Sequence, residues 1–231
     1  MEASGAGTDR QEQIMQFMTT EHVTLQTARA VVNAEISARL QLYMTTLSSA
    51  IIALALVAQV SGALGRAFET FALVLLPVVY FLGLATLTRL LQASAEWRTY
   101  GHGMNRIRHW YLEVAPEMAP YFVLPATDDP WASLAAVGIR RRNTWQGLLA
   151  TAPWIIVVIN SVLAGVVAGL LARLTGPPGP LLLALAGAVG FLVSLAALGV
   201  YEQRVFRRDM DTSPVAFAAT AGEPAGPDGR S

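Results

Sequence analysis

Hydrophobic and polar positions divide this chain into alternating blocks. Four long runs contain no charged residue, and they form two pairs, residues 42–88 and 148–201, each with a short turn inside it. An α-helix needs about 20 apolar residues to cross the hydrocarbon core of a bilayer. The pattern therefore predicts four transmembrane helices in two hairpins. These predicted spans are residues 42–64, 71–87, 148–171 and 181–201.

Three polar segments surround the hairpins: residues 9–41, 89–147 and 202–231. In the first, apolar residues recur at steps of three and four, which predicts an amphipathic helix. No glycine or proline separates it from the first span, so the two are expected to form one long rod. Residues 1–8 and most of 202–231 are small, polar or rich in Ala, Gly and Pro, and we expect disordered tails there.

The middle segment, 89–147, is predicted to begin as a continuation of the second span. Gly101 and Gly103 are expected to weaken or bend that helix. Repeated prolines then predict a loop over 116–130, followed by a short amphipathic helix over 130–143. Together these elements predict an all-α integral membrane protein whose polar segments form a helical layer.

The distribution of arginine predicts the orientation. All sixteen basic residues are arginine, and the two turns inside the hairpins contain only Arg66 and Arg173. Loops that remain in the cytoplasm carry the excess of basic residues. The polar segments, including the run 140–142, and both termini are therefore predicted to be cytoplasmic in a multi-pass protein of the cell membrane.

Composition excludes several classes of function. Hydrophobic residues make up 54% of the chain and charged residues 14%, whereas soluble domains carry about 25% charged residues. The formal net charge is zero and there is no cysteine. We therefore expect no DNA or RNA partner, no disulfide and no thiolate metal site. No segment predicts a cofactor.

Residue chemistry does not favour an enzyme, a coupled transporter or a metal protein. The spans contain no central charge, which ion-coupled transporters normally need. His102 and His109 are about 10 Å apart along a helix, too far to share one metal ion. Asp128 and Asp129 are predicted to form a turn or to cap the next helix. No catalytic motif is present, so no catalytic residue is assigned.

One set of arginine and aromatic side chains in the middle segment could recognise a ligand. Guanidinium groups hold phosphates, and aromatic faces stack on bases. The alternative is that these side chains anchor the protein to lipid headgroups and enforce its topology. The candidate nucleotide or phosphate contacts are Arg98, Arg106, Arg108, Trp110 and Tyr111.

Small and polar residues in the spans predict close helix packing. Gly165 and Gly169 form a GxxxG step, which lets helix backbones approach in lipid. They are predicted to pack within the second hairpin, with packing between subunits as the alternative. Gln59 and Asn160 are predicted to form interhelical hydrogen bonds, with a pore lining as the alternative.

The stretch AVVNAEISARLQLYMTTLSSAIIALALV, residues 30–57, carries a family resemblance, together with the arginine-rich segment after the second span. Both resemble small bacterial membrane effectors of nucleotide-signalled anti-phage defence, namely Pycsar transmembrane effectors and SLATT proteins. The resemblance implies a homo-oligomer in the lipid bilayer that binds a cyclic nucleotide and impairs membrane integrity, causing abortive infection. The alternatives are a membrane-anchored scaffold for a cytoplasmic partner and a small channel or transporter subunit.

Overall fold

The structure is a computed structural model that describes residues 2–61, 65–135, 151–174, 176 and 179–218. These residues form helices and irregular segments and no strand, which confirms the all-α class. The predicted amphipathic helix 130–143 extends beyond the described residues, as do the arginine run 140–142 and the start of the third predicted span.

Five α-helices and one 3-10 helix are described. Four of them, α1, α2, α4 and α5, are long and apolar enough to cross a membrane. The chain is therefore a multi-pass membrane protein with four candidate spans, as the hydrophobic pattern predicted. The helices are α1 (Glu2–Ser61), α2 (Arg66–Val114), the 3-10 helix (Pro116–Tyr121), α3 (Pro130–Ala135), α4 (Ala152–Leu174) and α5 (Pro180–Thr212).

The first helix starts earlier than the sequence pattern suggested. It begins at Glu2, so the segment 1–8 is helical from its second residue and the expectation of a disordered tail is corrected. Each residue that extends an existing helix gains one hydrogen bond when its backbone is fixed. Starting a new helix is less favourable, because several residues must be fixed before the first hydrogen bond forms. Residues next to a long helix can therefore join it despite weak propensity.

The second helix runs unbroken through Pro77, Gly101 and Gly103. We expected the two glycines to weaken or bend it. At Gly103 the glycine has another role, because a Cβ there would lie 2.9 Å from Cδ1 of Leu25. The absence of a side chain lets α1 and α2 approach closely at this level.

The chain divides into two compact units. The polar unit consists of Met1–Ala34, Ser94–Gly147 and Asp209–Ser231, and the apolar unit consists of Glu35–Ala93 and Leu148–Arg208. The hydrophobic core cluster lies within the apolar unit.

A chain of polar contacts joins the four candidate spans inside the apolar unit. The Tyr43 hydroxyl donates to Oδ1 of Asn160 over 2.7 Å, and Nδ2 of Asn160 donates to the Tyr80 carbonyl over 3.2 Å. The Tyr80 hydroxyl in turn lies 3.3 Å from the Ser194 hydroxyl. Asn160 is completely buried, and a Cβ at Gly83 would collide with it. This geometry supports the interhelical hydrogen-bonding interpretation of Asn160.

Small residues bring α4 and α5 together. A Cβ at Gly165 would lie 2.8 Å from the Gly187 carbonyl oxygen, and a Cβ at Gly190 would lie 2.6 Å from the Cβ of Ala168. Gly169 is less tightly packed, since its nearest facing atom would be 3.9 Å away. Gly165 therefore takes part in a close contact within the second hairpin, and Gly169 makes only ordinary contact there.

Ion pairs lie near both ends of the apolar unit. Glu35 accepts hydrogen bonds from Arg89 over 2.8 Å and from Arg39 over 2.7 Å. Hydrogen bonds from Arg89 and then from Arg39 lower the pKa of Glu35 to about 2. Arg173 pairs with Glu69 over 2.9 Å. Each pair links two helices, or two turns of one helix, where the apolar runs end.

Candidate functional site

Arg98 lies on α2 within the polar unit and is 8% exposed. Its Nε and Nη2 atoms approach Oδ2 of Asp209 to 2.7 and 2.6 Å. Asp209 belongs to the last turn of α5. Two charge-assisted contacts to one carboxylate hold the guanidinium in place, so Arg98 links two elements of the polar unit.

Arg106 lies two helical turns further along α2 and bonds to two separate segments. Its Nε donates to Oδ2 of Asp128 over 2.6 Å, and its Nη2 donates to the Pro214 carbonyl over 2.6 Å. The Arg106 guanidinium is therefore already hydrogen-bonded to a carboxylate and to a backbone oxygen.

Asp128 is completely buried and fastens the segment that follows α5. Its carboxylate accepts hydrogen bonds from the backbone N–H groups of Ala216, at 2.9 Å, and Phe217, at 2.7 Å. Its own N–H donates to the Phe217 carbonyl over 3.1 Å. We call Asp128 and residues 214–217 the C-terminal clasp. Burial raises the pKa of Asp128, but the Ala216, Phe217 and Arg106 hydrogen bonds outweigh burial and hold it below its ordinary value.

The two histidines of α2 support the clasp from different positions. His102 Nδ1 lies 2.9 Å from the Asp128 carbonyl oxygen, and the His109 ring stacks on Phe217 with ring centroids 4.1 Å apart. His109 also lies 3.6 Å from a carboxylate oxygen of Glu113. Over the described ranges, no group of three or more potential metal ligands gathers.

Asp129 has the predicted capping role that Asp128 lacks. Its Oδ1 accepts a hydrogen bond from the backbone N–H of Ala132 over 3.2 Å. This is the contact by which an N-cap aspartate satisfies a free donor in the first turn of a helix. The two neighbouring aspartates therefore differ in function: Asp129 caps α3, and Asp128 fastens the C-terminal segment.

Arg108 differs from the other two candidate arginines. Its Nη1 donates to Oδ1 of Asn105 over 2.5 Å and to the Pro125 carbonyl over 3.4 Å. Both acceptors are neutral, and burial lowers the pKa of Arg108. No carboxylate among the described residues lies within salt-bridge distance of it.

Trp110 and Tyr111 follow directly on α2 and are half-buried. Their rings contact each other at a centroid distance of 5.5 Å with an interplanar angle of 58°. The five candidate contacts therefore share one helix, but the arginines bond to different partners.

Two residues that sequence reasoning did not select lie on α1. The Arg29 guanidinium stacks 3.6 Å above the centroid of the Trp97 ring. Arg29 Nε and His22 Nδ1 are buried, and neither has a hydrogen-bond partner in the described part of the chain. Burial and then the charge of Arg108 lower the pKa of both residues. We call His22, Arg29 and Arg108 the basic cluster.

The sequence contains a weak signal for this cluster. His22 and Arg29 are seven residues apart, which places them on one face of α1. The pattern could not show that this face meets Arg108. No family profile, curated protein or solved structure matches the chain.

Proposed function

We propose that this protein is a signal-triggered bacterial membrane effector, of the kind used in cyclic-nucleotide anti-phage defence. A nucleotide made during infection would bind the polar unit on the cytoplasmic side of the cell membrane. The spans would then change their packing, alone or in a homo-oligomer, and membrane integrity would be impaired. The enzymatic step would belong to the nucleotide cyclase, and this chain would act by binding.

One observation carries this proposal: three helices each contain residues of both units. The polar parts of α1, α2 and α5 continue into their apolar parts without a break in the helix. A helix resists bending because each turn is hydrogen-bonded to the next. A ligand that shifts these helices in the polar unit would therefore act on three of the four candidate spans.

An effector of this kind must be inactive until it is triggered, because a constant leak would kill its host. The C-terminal clasp supports such a resting state, since Asp128 and Arg106 fasten the segment that follows α5. The ligand can open the protein only if it binds the active packing more tightly than the resting one.

The test is membrane potential in cells that express the protein with and without a nucleotide cyclase. Expression alone should be tolerated, and coexpression with an active cognate cyclase should depolarise the cells. A catalytically dead cyclase is the matched control. If depolarisation does not depend on cyclase activity, the effector proposal fails and a scaffold role for the polar unit becomes the better account.

The proposed orientation has its own test. A cysteine placed at Gly65 or Gly179, in the turns inside the hairpins, should react with an impermeant thiol reagent on intact cells. A cysteine at Ser213 should react only after lysis. The reason is the asymmetry of arginine across the predicted spans. Labelling of Ser213 from outside would contradict a cytoplasmic polar unit.

A further inference from the structure

Two groups of contacts fasten the end of α5 to the polar part of α2. Arg98 pairs with Asp209 in the last turn of α5, and Arg106 donates to the Pro214 carbonyl just beyond that helix. Arg98 and Arg106 are eight residues apart, which is about 12 Å along α2. The end of α5 and the segment after it are therefore held on α2 at two separate points.

The two halves of the C-terminal clasp differ in how firmly they are built into the fold. Asp128 is completely buried, and its carbonyl oxygen lies 2.9 Å from His102 Nδ1. The carbonyl of the preceding Thr127 accepts a hydrogen bond from Asn105 over 2.9 Å. These contacts do not involve the C-terminal segment. The half that contains Asp128 is therefore held in place whether or not residues 214–217 are bound.

Residues 214–217 bury little apolar surface. Their backbone forms hydrogen bonds of the clasp, while the first three of their four side chains are exposed. Phe217 is half-buried, and its ring stacks on His109. Segments with few buried apolar contacts open at a low free energy, without unfolding of the whole protein. We therefore expect this segment to detach locally.

The link between the clasp and α5 is too short to let them move independently. The helix ends at Thr212, and only Ser213 separates it from the clasp. Ser213 is itself bonded to α5, because its N–H and its hydroxyl donate to the Asp209 carbonyl over 3.1 and 2.8 Å. The four residues after Thr212 span at most about 14 Å, so a closed clasp keeps the end of α5 close to Asp128. Movement of the last turn of α5 away from α2 therefore requires that the clasp opens.

We propose that the C-terminal clasp is an autoinhibitory latch. While Arg106, Asp128 and His109 hold residues 214–217, α5 keeps its resting position, and the spans change their packing only after this segment is released. The inference rests on the proposed function, because it names the contact that holds the resting state. A clasp that only secures the C-terminal segment would have the same hydrogen bonds, but opening it would leave the membrane intact.

The experiment weakens the clasp without removing its backbone contacts. It uses the full chain in dye-loaded phosphatidylcholine vesicles with no nucleotide added. Phe217→Ala removes the ring that stacks on His109, a type of contact that favours the closed state roughly 3- to 10-fold. Dye release and hydrogen exchange at the Ala216 amide should both increase by about that factor. The matched control is Tyr121→Ala, which changes an exposed aromatic residue of the same polar unit and should behave like the wild type.

A reversible crosslink tests whether the clasp must open. The chain has no cysteine, so a double variant with His109→Cys and Phe217→Cys gives a short, cleavable bis-maleimide one site on each half of the clasp. Before crosslinking, this variant should release dye without a nucleotide, because the ring contact is gone. The crosslinked protein should retain the dye with or without cyclic mononucleotides, and cleavage of the reagent should restore release. Equal release before and after crosslinking would overturn the latch.

Thermal unfolding controls for a general loss of fold. The midpoint for Phe217→Ala should match that for Tyr121→Ala, since the Phe217 ring lies on a segment that opens locally. A lower midpoint that accompanies dye release would assign Phe217 a structural role instead. Faster exchange at Ala216 without any dye release would likewise overturn the latch.

The latch and the effector proposal fail in different ways. Nucleotide-dependent release by the wild type, without nucleotide-free release by Phe217→Ala, would remove the latch and leave the effector. Release by Phe217→Ala, when the wild type responds to no nucleotide, would keep the latch and remove the nucleotide trigger. Retention of dye by every variant under every condition would overturn both.

Discussion

The polar unit contains two groups of basic side chains with opposite electrostatic environments. Arg98 and Arg106 each bond to a carboxylate, whereas Arg29 and Arg108 lie against an aromatic ring and neutral oxygens. Arg106 and Arg108 are only two positions apart on α2. The difference shows that the number of arginines in a segment says little about their roles, because neighbouring arginines can bond to a carboxylate or only to neutral groups.

The largest expected effect concerns an arginine that is paired with a carboxylate. Asp128→Ala leaves Arg106 without its carboxylate and removes the acceptor of the Ala216 and Phe217 N–H groups. Losing this half-buried ion pair together with two backbone hydrogen bonds should cost about 3 kcal/mol. Hydrogen exchange at Ala216 and Phe217 should therefore accelerate about 100-fold.

Asp129→Ala is the matched control for that change. It removes the cap of α3, which contributes about 1 kcal/mol, and it should leave exchange at Ala216 and Phe217 unchanged. Equal acceleration by both substitutions would mean that Asp128 does not hold the C-terminal segment in the way its hydrogen bonds indicate.

A smaller effect separates the two groups of arginines by the size of a stability change. Arg98→Gln leaves Asp209 without its charged partner and should lower the free energy of unfolding by roughly 2 kcal/mol. Arg29→Gln should lower it by no more than the cation–π contact with Trp97 contributes, about 0.5–1 kcal/mol, offset by removal of an unpaired charge. Thermal unfolding of both variants in nanodiscs measures the difference. Equal destabilisation would remove the distinction between the groups.

The smallest effect comes from pH. The pKa of Asp128 is lower in the folded protein than its ordinary value of 3.8, so the folded state favours the carboxylate. Its stabilising contribution is complete above the ordinary value and is lost as pH falls through the lower, folded value. Protection of the Phe217 amide should therefore decline as pH falls below about 4. Asp128→Asn should show no such decline, and a parallel decline in that variant would point to another group.

The sequence predicted the features that depend on local pattern. Four charge-free runs gave four helices able to cross a membrane, and the position of Asp129 before α3 matched its capping contact. Gly165 was selected because small residues at a four-residue step allow close approach, and it does approach α5. In each case, the physical cause lies within a few residues or in one helix face.

What the sequence could not predict depends on which distant residues meet. Asp128 bonds to Ala216 and Phe217, which lie in a segment 88 and 89 residues further along. Arg29 lies in the predicted amphipathic helix, whose periodicity could not show that Arg29 stacks on Trp97 or that the charge of Arg108 lowers its pKa. Which charged residues pair depends on how one helix is aligned along the next. The periodicity of a single helix carries no information about that alignment.

The central claim is that a nucleotide bound by the polar unit changes the packing of the spans. The most direct measurement is dye release from phosphatidylcholine vesicles that contain the full chain, with cyclic mononucleotides added at constant ionic strength. Vesicles that contain the wild type should release dye with at least one nucleotide and should retain the dye when no nucleotide is added. Release that does not depend on a nucleotide, or no release with any nucleotide, would contradict the claim.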